Sequence, residues 1–151
     1  MPQLYRICRH VYKPQDPTGA SKIPGRWHTL GSRVLYFCSS LALCILELKA
    51  NSVSFVTIRK EYHYTDIEIN EENLIFEEVP KSLYTENWII NRKKTQDFGN
   101  EWYKSLRTPI LKVRSAVLQT DDNYIINTAH PDFKGIKFPK PLIIPLDPRI
   151  I

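Results

Sequence analysis

Val34-Leu35-Tyr36-Phe37-Cys38-Ser39-Ser40-Leu41-Ala42-Leu43-Cys44-Ile45-Leu46-Glu47-Leu48-Lys49-Ala50 decides how this chain is read. Val34 to Cys38 is a short apolar and aromatic run, the pattern of a buried strand. Ser39 or Ser40 then offers the side-chain oxygen that caps a helix. The helix runs to about Asn51, with Leu41, Ile45 and Leu48 on one face and Leu43, Glu47 and Ala50 on another. Glu47 is the anomaly, because every other residue from Leu41 to Leu48 is apolar. An unpaired carboxylate in such surroundings is costly to desolvate. It calls for a cationic partner, with Arg6, Arg26 and Arg33 the candidates, or for a catalytic task.

Working outward, Leu4 to Cys8 reads as a first strand, and Pro14 to Pro24 as a proline-rich loop. Gly25 and Gly31 bracket a turn. Val53 to Ile58 is rich in β-branched residues and reads as a strand. Residues 59–73 are charged and read as an exposed connection, followed by a strand from Leu74 to Val79 that Pro80 stops. Thr85 can cap a helix over Glu86 to Lys94, and a shorter helix with Trp102 and Leu106 opens at Asp97 or Gly99. Leu111 to Leu118 and Tyr124 to Asn127 read as strands around the turn Thr120 to Asn123. His130 to Phe133 starts a turn or short helix. Phe138 to Leu146 carries three prolines and reads as an edge strand or extended tail. The architecture expected is α+β, a single compact domain over residues 1–151 with central β-strands and short helices.

The composition bounds the function classes. The chain has 151 residues, 42% hydrophobic and 25% charged, ordinary for a globular domain. No apolar stretch reaches bilayer-spanning length, and the N-terminal residues Met1 to Arg6 lack the layout of a signal peptide. The expectation is a cytoplasmic protein. Cys8, Cys38 and Cys44 form no C-x-x-C pair and read as packed, reduced thiols. His10, His28, His63 and His130 show no metal-ligand spacing, so no metal is expected. The net charge of +5 is uneven: +5 in residues 1–50, −4 in 51–101 and +4 in 102–151. The two basic thirds suit a cationic cleft for an anionic ligand. No long basic stripe interleaved with aromatics marks a nucleic-acid groove.

Four further residues have the chemistry for a site. Arg26 stands between Gly25 and Trp27, where glycine lets a ligand approach and the guanidinium fork suits a phosphate. Tyr36 is either a core residue or a ring that stacks on a planar ligand while its hydroxyl orients one. Ser115 follows Arg114 in a predicted strand, with no nucleophile elbow around it, which points to hydrogen bonding rather than attack. Arg6 lies on the first strand.

The order of these pieces resembles the RES-domain toxins, the toxin halves of bacterial toxin–antitoxin pairs. The pieces are Leu4-Tyr5-Arg6, Gly25-Arg26-Trp27, Val34-Leu35-Tyr36, Leu43-x-x-x-Glu47, Trp102, Arg114-Ser115-Ala116, Asn123-Tyr124-x-x-Asn127 and His130-Pro131-Asp132-Phe133. The resemblance implies a fold like that of ADP-ribosyltransferase toxins. It also implies a type II toxin that depletes NAD⁺ by splitting the nicotinamide–ribose bond, with water or phosphate as acceptor. A protein ADP-ribosyltransferase using the same site is the alternative. NAD⁺ is then substrate rather than resident cofactor. The family's arginine, tyrosine, glutamate and serine map onto Arg26, Tyr36, Glu47 and Ser115, and an earlier arginine onto Arg6. Arg6 and Arg26 are expected to hold the pyrophosphate, Tyr36 to stack on nicotinamide, and Ser115 to fix an amide or ribose oxygen. The implied partner is a helix-turn-helix, Xre-like antitoxin, with self-association possible and no nucleic acid or membrane partner. Three positions depart from the family pattern: Arg114 where a proline usually precedes the serine, His28 where an asparagine usually follows Arg-Trp, and Asn127-Thr128-Ala129-His130-Pro131 for the usual Asn-Pro-x-His-Pro.

Overall fold

The strand–cap–helix read from residues 34–50 is the middle of the molecule. The computed structural model of the chain describes residues 3–70, 72 and 75–151. Strand β2 is Val34–Cys38 and helix α2 is Leu41–Ala50, with Ser40 as the cap: its hydroxyl accepts the Leu43 N–H at 3.1 Å. Around them run β1 (Gln3–Arg9), α1 (Thr18–Lys22), α3 (Phe55–Glu61), β3 (Tyr62–Glu68) and β4 (Phe76–Glu78). Then come α4 (Arg92–Ser105), β5 (Ile110–Arg114), β6 (Asp122–Asn127) and β7 (Leu142–Ile143). Among the described residues the strands form one sheet in the order β4-β5-β6-β2-β1-β3-β7, in which only β4 and β5 run parallel.

Strand alternation divides the core between the two faces of this sheet. Leu35, Phe37, Leu4, Ile110, Ile126 and Ile67 pack on one face, covered by Ile136, Phe133 and Phe138. Val34, Tyr36, Leu111, Val113 and Ile125 lie on the other, under Trp27, Trp88 and Trp102. Cys38 and Tyr5 continue that second face beneath Leu43 and Cys44 of α2. The whole is a single α+β domain.

The ladder is uneven at its centre. β1 pairs with β3 through seven register partners, Gln3 with Glu68 to Arg9 with Tyr62, but with β2 through one, Tyr5 with Cys38. Where β1 and β2 part, Arg6 fills the gap. Its Nη1 donates to the Tyr36 carbonyl at 3.4 Å and its Nε to the Pro14 carbonyl at 2.9 Å.

Helix α4 replaces two expected helices with one. Residues 86–90 are turns, Asn91 caps the helix by accepting the Lys94 N–H, and Lys93 pairs with Asp97 one turn on. Thr95, Gly99 and Trp102 form its buried stripe at helical spacing. The helix stops at Leu106, whose φ of 56° is left-handed. Gly99 is required there: a Cβ would lie 1.7 Å from the Trp27 carbonyl oxygen.

Other expectations are corrected. The strand expected over Val53 to Ile58 is helix α3, because Ser54 accepts the Thr57 N–H at 3.1 Å and fixes a helical start. The charged stretch expected to be an exposed connection holds β3, whose Thr65 and Ile67 are buried while β1 supplies the ladder. The loop from Pro14 to Pro24 contains α1, started where Asp16 accepts the Thr18 N–H at 2.9 Å. β5 ends at Arg114, so Ser115 follows a strand rather than lying in one. The strand expected over Leu74 to Val79 is Phe76–Glu78; Leu74 itself, like Met1 and Pro2 of the N-terminal reading, lies outside the described residues. No helix among the described residues is long and apolar enough to cross a membrane.

Candidate active site

Helix α2 sets Glu47 one turn beyond buried Leu43, on the side facing the end of β5 and the start of β6. There Glu47 Oε1 accepts two hydrogen bonds, from Ser115 Oγ at 2.8 Å and from Asn123 Nδ2 at 2.9 Å. Glu47 forms no ion pair among the described residues, and the cationic partner expected from Arg6, Arg26 or Arg33 is replaced by these two neutral donors. The carboxylate is half-buried rather than enclosed, so part of it stays open to solvent.

Ser115 is fully buried, and its hydroxyl is saturated. Its Oγ accepts the N–H groups of Val117 (3.2 Å) and Leu118 (3.0 Å), while its backbone N–H closes on the Asp121 carbonyl at 2.9 Å. The side chain thus ties off the strand end and spends its one proton on Glu47. No proton remains for a second acceptor, and the hydroxyl oxygen is already engaged by two backbone N–H groups.

Tyr36 lies at the centre of β2, two residues from Cys38 on the same face. Its hydroxyl is 2.6 Å from His28 Nδ1. His28 is 4% exposed, and its Nε2 faces the carbonyls of Ala20 (2.8 Å) and Ile23 (2.9 Å). Two carbonyls at Nε2 require the proton there, so in the neutral ring Nδ1 accepts and the Tyr36 hydroxyl donates. Burial pushes the Tyr36 phenol well above its usual range, against the pull of the Trp27 backbone hydrogen bond and then of Arg92 and Arg26, so it stays protonated. Gly25 makes the pair possible: a Cβ there would lie 2.6 Å from His28 Cε1, 2.8 Å from Nδ1 and 3.0 Å from the Tyr36 hydroxyl.

Arg26 is carried on the same loop, which is clamped to α4. Gln96 donates to the Gly25 carbonyl at 2.7 Å and Thr95 to the Arg26 carbonyl at 2.6 Å. The Arg26 guanidinium donates to the Ile89 carbonyl and lies 5.7 Å from the Trp88 ring centre. Burial pulls its pKa down, Arg92 adds to this, and Glu47 and Tyr36 oppose it. Arg26 and Glu47 therefore feel one another without pairing. Arg6 is also drawn down by burial, with Cys8, Cys44 and Asp16 opposing. Neither arginine has a carboxylate within ion-pair distance among the described residues. Two guanidiniums without carboxylate partners, both interacting with Tyr36, suit an anion.

Glu47 and Ser115 are thus in direct contact. Arg6 reaches the backbone of Tyr36, and Arg26 couples electrostatically to both Tyr36 and Glu47. Sequence reasoning missed Asn123 as a partner of Glu47; an asparagine near the start of a strand, where that residue type is disfavoured, was the signal that could have found it. It also missed Tyr84 and Trp88. Their rings pack edge-on with centres 4.9 Å apart, rest against Trp27, and form the wall under Arg26 and Arg114. Arg114 lies 4.2 Å above the Tyr84 ring, and its N–H donates to the Tyr84 hydroxyl at 2.8 Å. No group of three or more His, Cys, Asp or Glu among the described residues is placed to hold a metal ion.

The chain has relatives among known proteins. The chain is 36% identical over 147 residues to a Prs ADP-ribosylating toxin of Sphingobium sp. (strain YBL2), covering 93% of this chain and 90% of that protein. It is 30% identical over 156 residues to a Toxin Res of Yersinia enterocolitica serotype O:8 / biotype 1B, covering 97% and 98%. Its fold matches the crystal structure of the M. tuberculosis MbcT–MbcA toxin–antitoxin complex with a TM-score of 0.75 at 13% identity, over 94% of this chain and 83% of that one. The RES domain model matches residues 3–147, nearly the whole sequence, and the chain belongs to the RES domain family.

Proposed function

We propose that this chain is the toxin of a toxin–antitoxin pair and that it consumes NAD⁺ by cleaving the bond between nicotinamide and ribose. The observation that carries the reading is Glu47, held through one oxygen by Ser115 and Asn123 and coupled electrostatically to Arg26, which has no carboxylate partner among the described residues. In the proposed reaction the C1′–N bond breaks and its electron pair neutralises the nicotinamide ring. The ribosyl carbon is left with oxocarbenium character, as in glycoside hydrolysis. An ionised Glu47 stabilises that charge and orients the acceptor, whose oxygen bonds to C1′ and whose proton leaves to solvent or base. Arg6 and Arg26 meet the pyrophosphate. Tyr36 offers its ring face to nicotinamide, its hydroxyl proton being committed to His28.

Purified protein should release free nicotinamide from NAD⁺, and Glu47→Gln should fold but lose most turnover; a fully active Glu47→Gln variant sinks the assignment. Mass analysis of the co-product identifies water or phosphate as acceptor. Transfer to a protein side chain is a second reading, favoured by the relative named an ADP-ribosylating toxin. It predicts an ADP-ribose mass increment on a target protein. An antitoxin partner is supported by the toxin–antitoxin complex that shares the fold. Co-expression with the product of an adjacent helix-turn-helix reading frame should restore growth and yield a co-purifying complex.

A further inference from the structure

Glu47 is bound asymmetrically. Oε1 takes both hydrogen bonds, and Oε2 accepts none among the described residues. Ser115 contributes without loss, since its hydroxyl is satisfied both as donor and as acceptor. Asn123 does not: its Nδ2 serves Glu47, and its Oδ1 is buried with no partner. Turning the amide over would set Oδ1 against Oε1, two acceptors face to face, so the carboxylate fixes the orientation. A buried, unpaired amide oxygen carries its full desolvation penalty. The strand position adds a second penalty, because asparagine is disfavoured there, yet Asn123 is in register with Cys38 on one side and Val113 on the other. Two local rules are broken by one side chain touching the candidate carboxylate, which marks function rather than stability.

We propose that Asn123 is a positioning residue that, with Ser115, locks Glu47 through Oε1 so that Oε2 is presented unbonded to the ribosyl group. The inference rests on the NAD⁺-cleaving reading above and adds to it the residue that divides the work of the two oxygens. A neutral N–H donor also favours the ionised carboxylate, whereas a second carboxyl at the same place would oppose it. Cys38 of β2 and Arg26 of the loop before β2 also interact electrostatically with Glu47.

The test compares wild type with the near-isosteric Asn123→Asp and with Asn123→Ala in NAD⁺ turnover across pH. Asn123→Asp should lower kcat about 10- to 100-fold with little change in KM, the range seen when the outer partner of a functional ligand is lost. Its acid limb should also move upward, because two adjacent carboxyls share one proton. Asn123→Ala, which removes the donor and adds no second carboxyl, should lower kcat and move the limb upward by less than Asn123→Asp does. Wild-type kcat and an unmoved limb in Asn123→Asp overturn the inference, as does activity that falls only in proportion to melting temperature. Should wild type leave NAD⁺ intact, the functional reading falls by itself. A carbon-13 titration of the Glu47 carboxyl in Asn123→Asp then decides the coupling: a midpoint raised over wild type keeps it, and an unchanged one ends it.

Discussion

The hydroxyl of Tyr36 donates to Nδ1 of His28 across 2.6 Å, and the direction of that bond is set by two carbonyls behind the imidazole. One buried ring thereby ties together α1 at Ala20, the residue Ile23 that ends α1, and the central strand beneath the candidate site. The substitution His28→Phe keeps a ring in that space but leaves the Ala20 and Ile23 carbonyls and the Tyr36 hydroxyl unpaired. The expected loss is about 2–3 kcal/mol. His28→Asn, which keeps a donor and an acceptor, should lose less. Urea unfolding of the two variants checks the order, and equal losses would mean that the hydrogen bonds are not what His28 contributes.

Alanine at Gly25 and at Gly99 should disturb the protein in different ways. In a helix interior, Gly→Ala ordinarily stabilises by about 1 kcal/mol. At Gly99 the new methyl meets the Trp27 carbonyl oxygen at 1.7 Å, a backbone atom that cannot swing aside. Gly99→Ala should therefore destabilise by about 3 kcal/mol or more, lowering the melting temperature by about 6–12 °C. Gly25→Ala meets side-chain atoms instead, so it should disturb the His28–Tyr36 pair and NAD⁺ turnover more than the melting temperature. Calorimetry beside the turnover assay separates the two.

Asp16 gives a pH dependence with a definite sign. Hydrogen bonds from the Thr18 hydroxyl and N–H hold its carboxyl below its ordinary value of 3.8. A carboxyl depressed in the folded state stabilises above its unfolded value, and the benefit is lost as pH falls through the folded value. Wild type should therefore exceed Asp16→Ala in stability at about pH 6, and the gap should narrow from about pH 4 downward. Denaturant midpoints at both pH values measure it, and a gap that widens on acidification contradicts the assignment.

The thiols should be slow. Cys8, Cys38 and Cys44 are buried and unpaired as disulfides. Burial raises the Cys8 thiol, and the Cys44 sulfur together with burial raises Cys38. Thiolate is the reactive form, so a thiol-specific reagent should label native protein slowly and all three positions at once after unfolding.

Residues 34–50 show how far local information reaches. A buried strand, a serine cap and a helix follow from the apolar pattern and one side-chain hydrogen bond, and both are properties of neighbours in sequence. The anomalous Glu47 was legible for the same reason. Val53 to Ile58 was not, because β-branched propensity is weak beside a Ser54 cap. The stretch 59–73 was misread because a strand paired along β1 needs few apolar residues of its own.

The sequence by itself determined the strand–cap–helix, the candidate residues Arg6, Arg26, Tyr36, Glu47 and Ser115, and the family they resemble. Only the tertiary structure decided what each atom does. It gave Glu47 two neutral donors in place of an arginine, sent Ser115's proton to that carboxylate, and turned Tyr36's toward His28. The reason is physical. A residue's type fixes which hydrogen bonds it can make, but a buried group has few partners within reach, and chain-distant backbone and side chains choose among them.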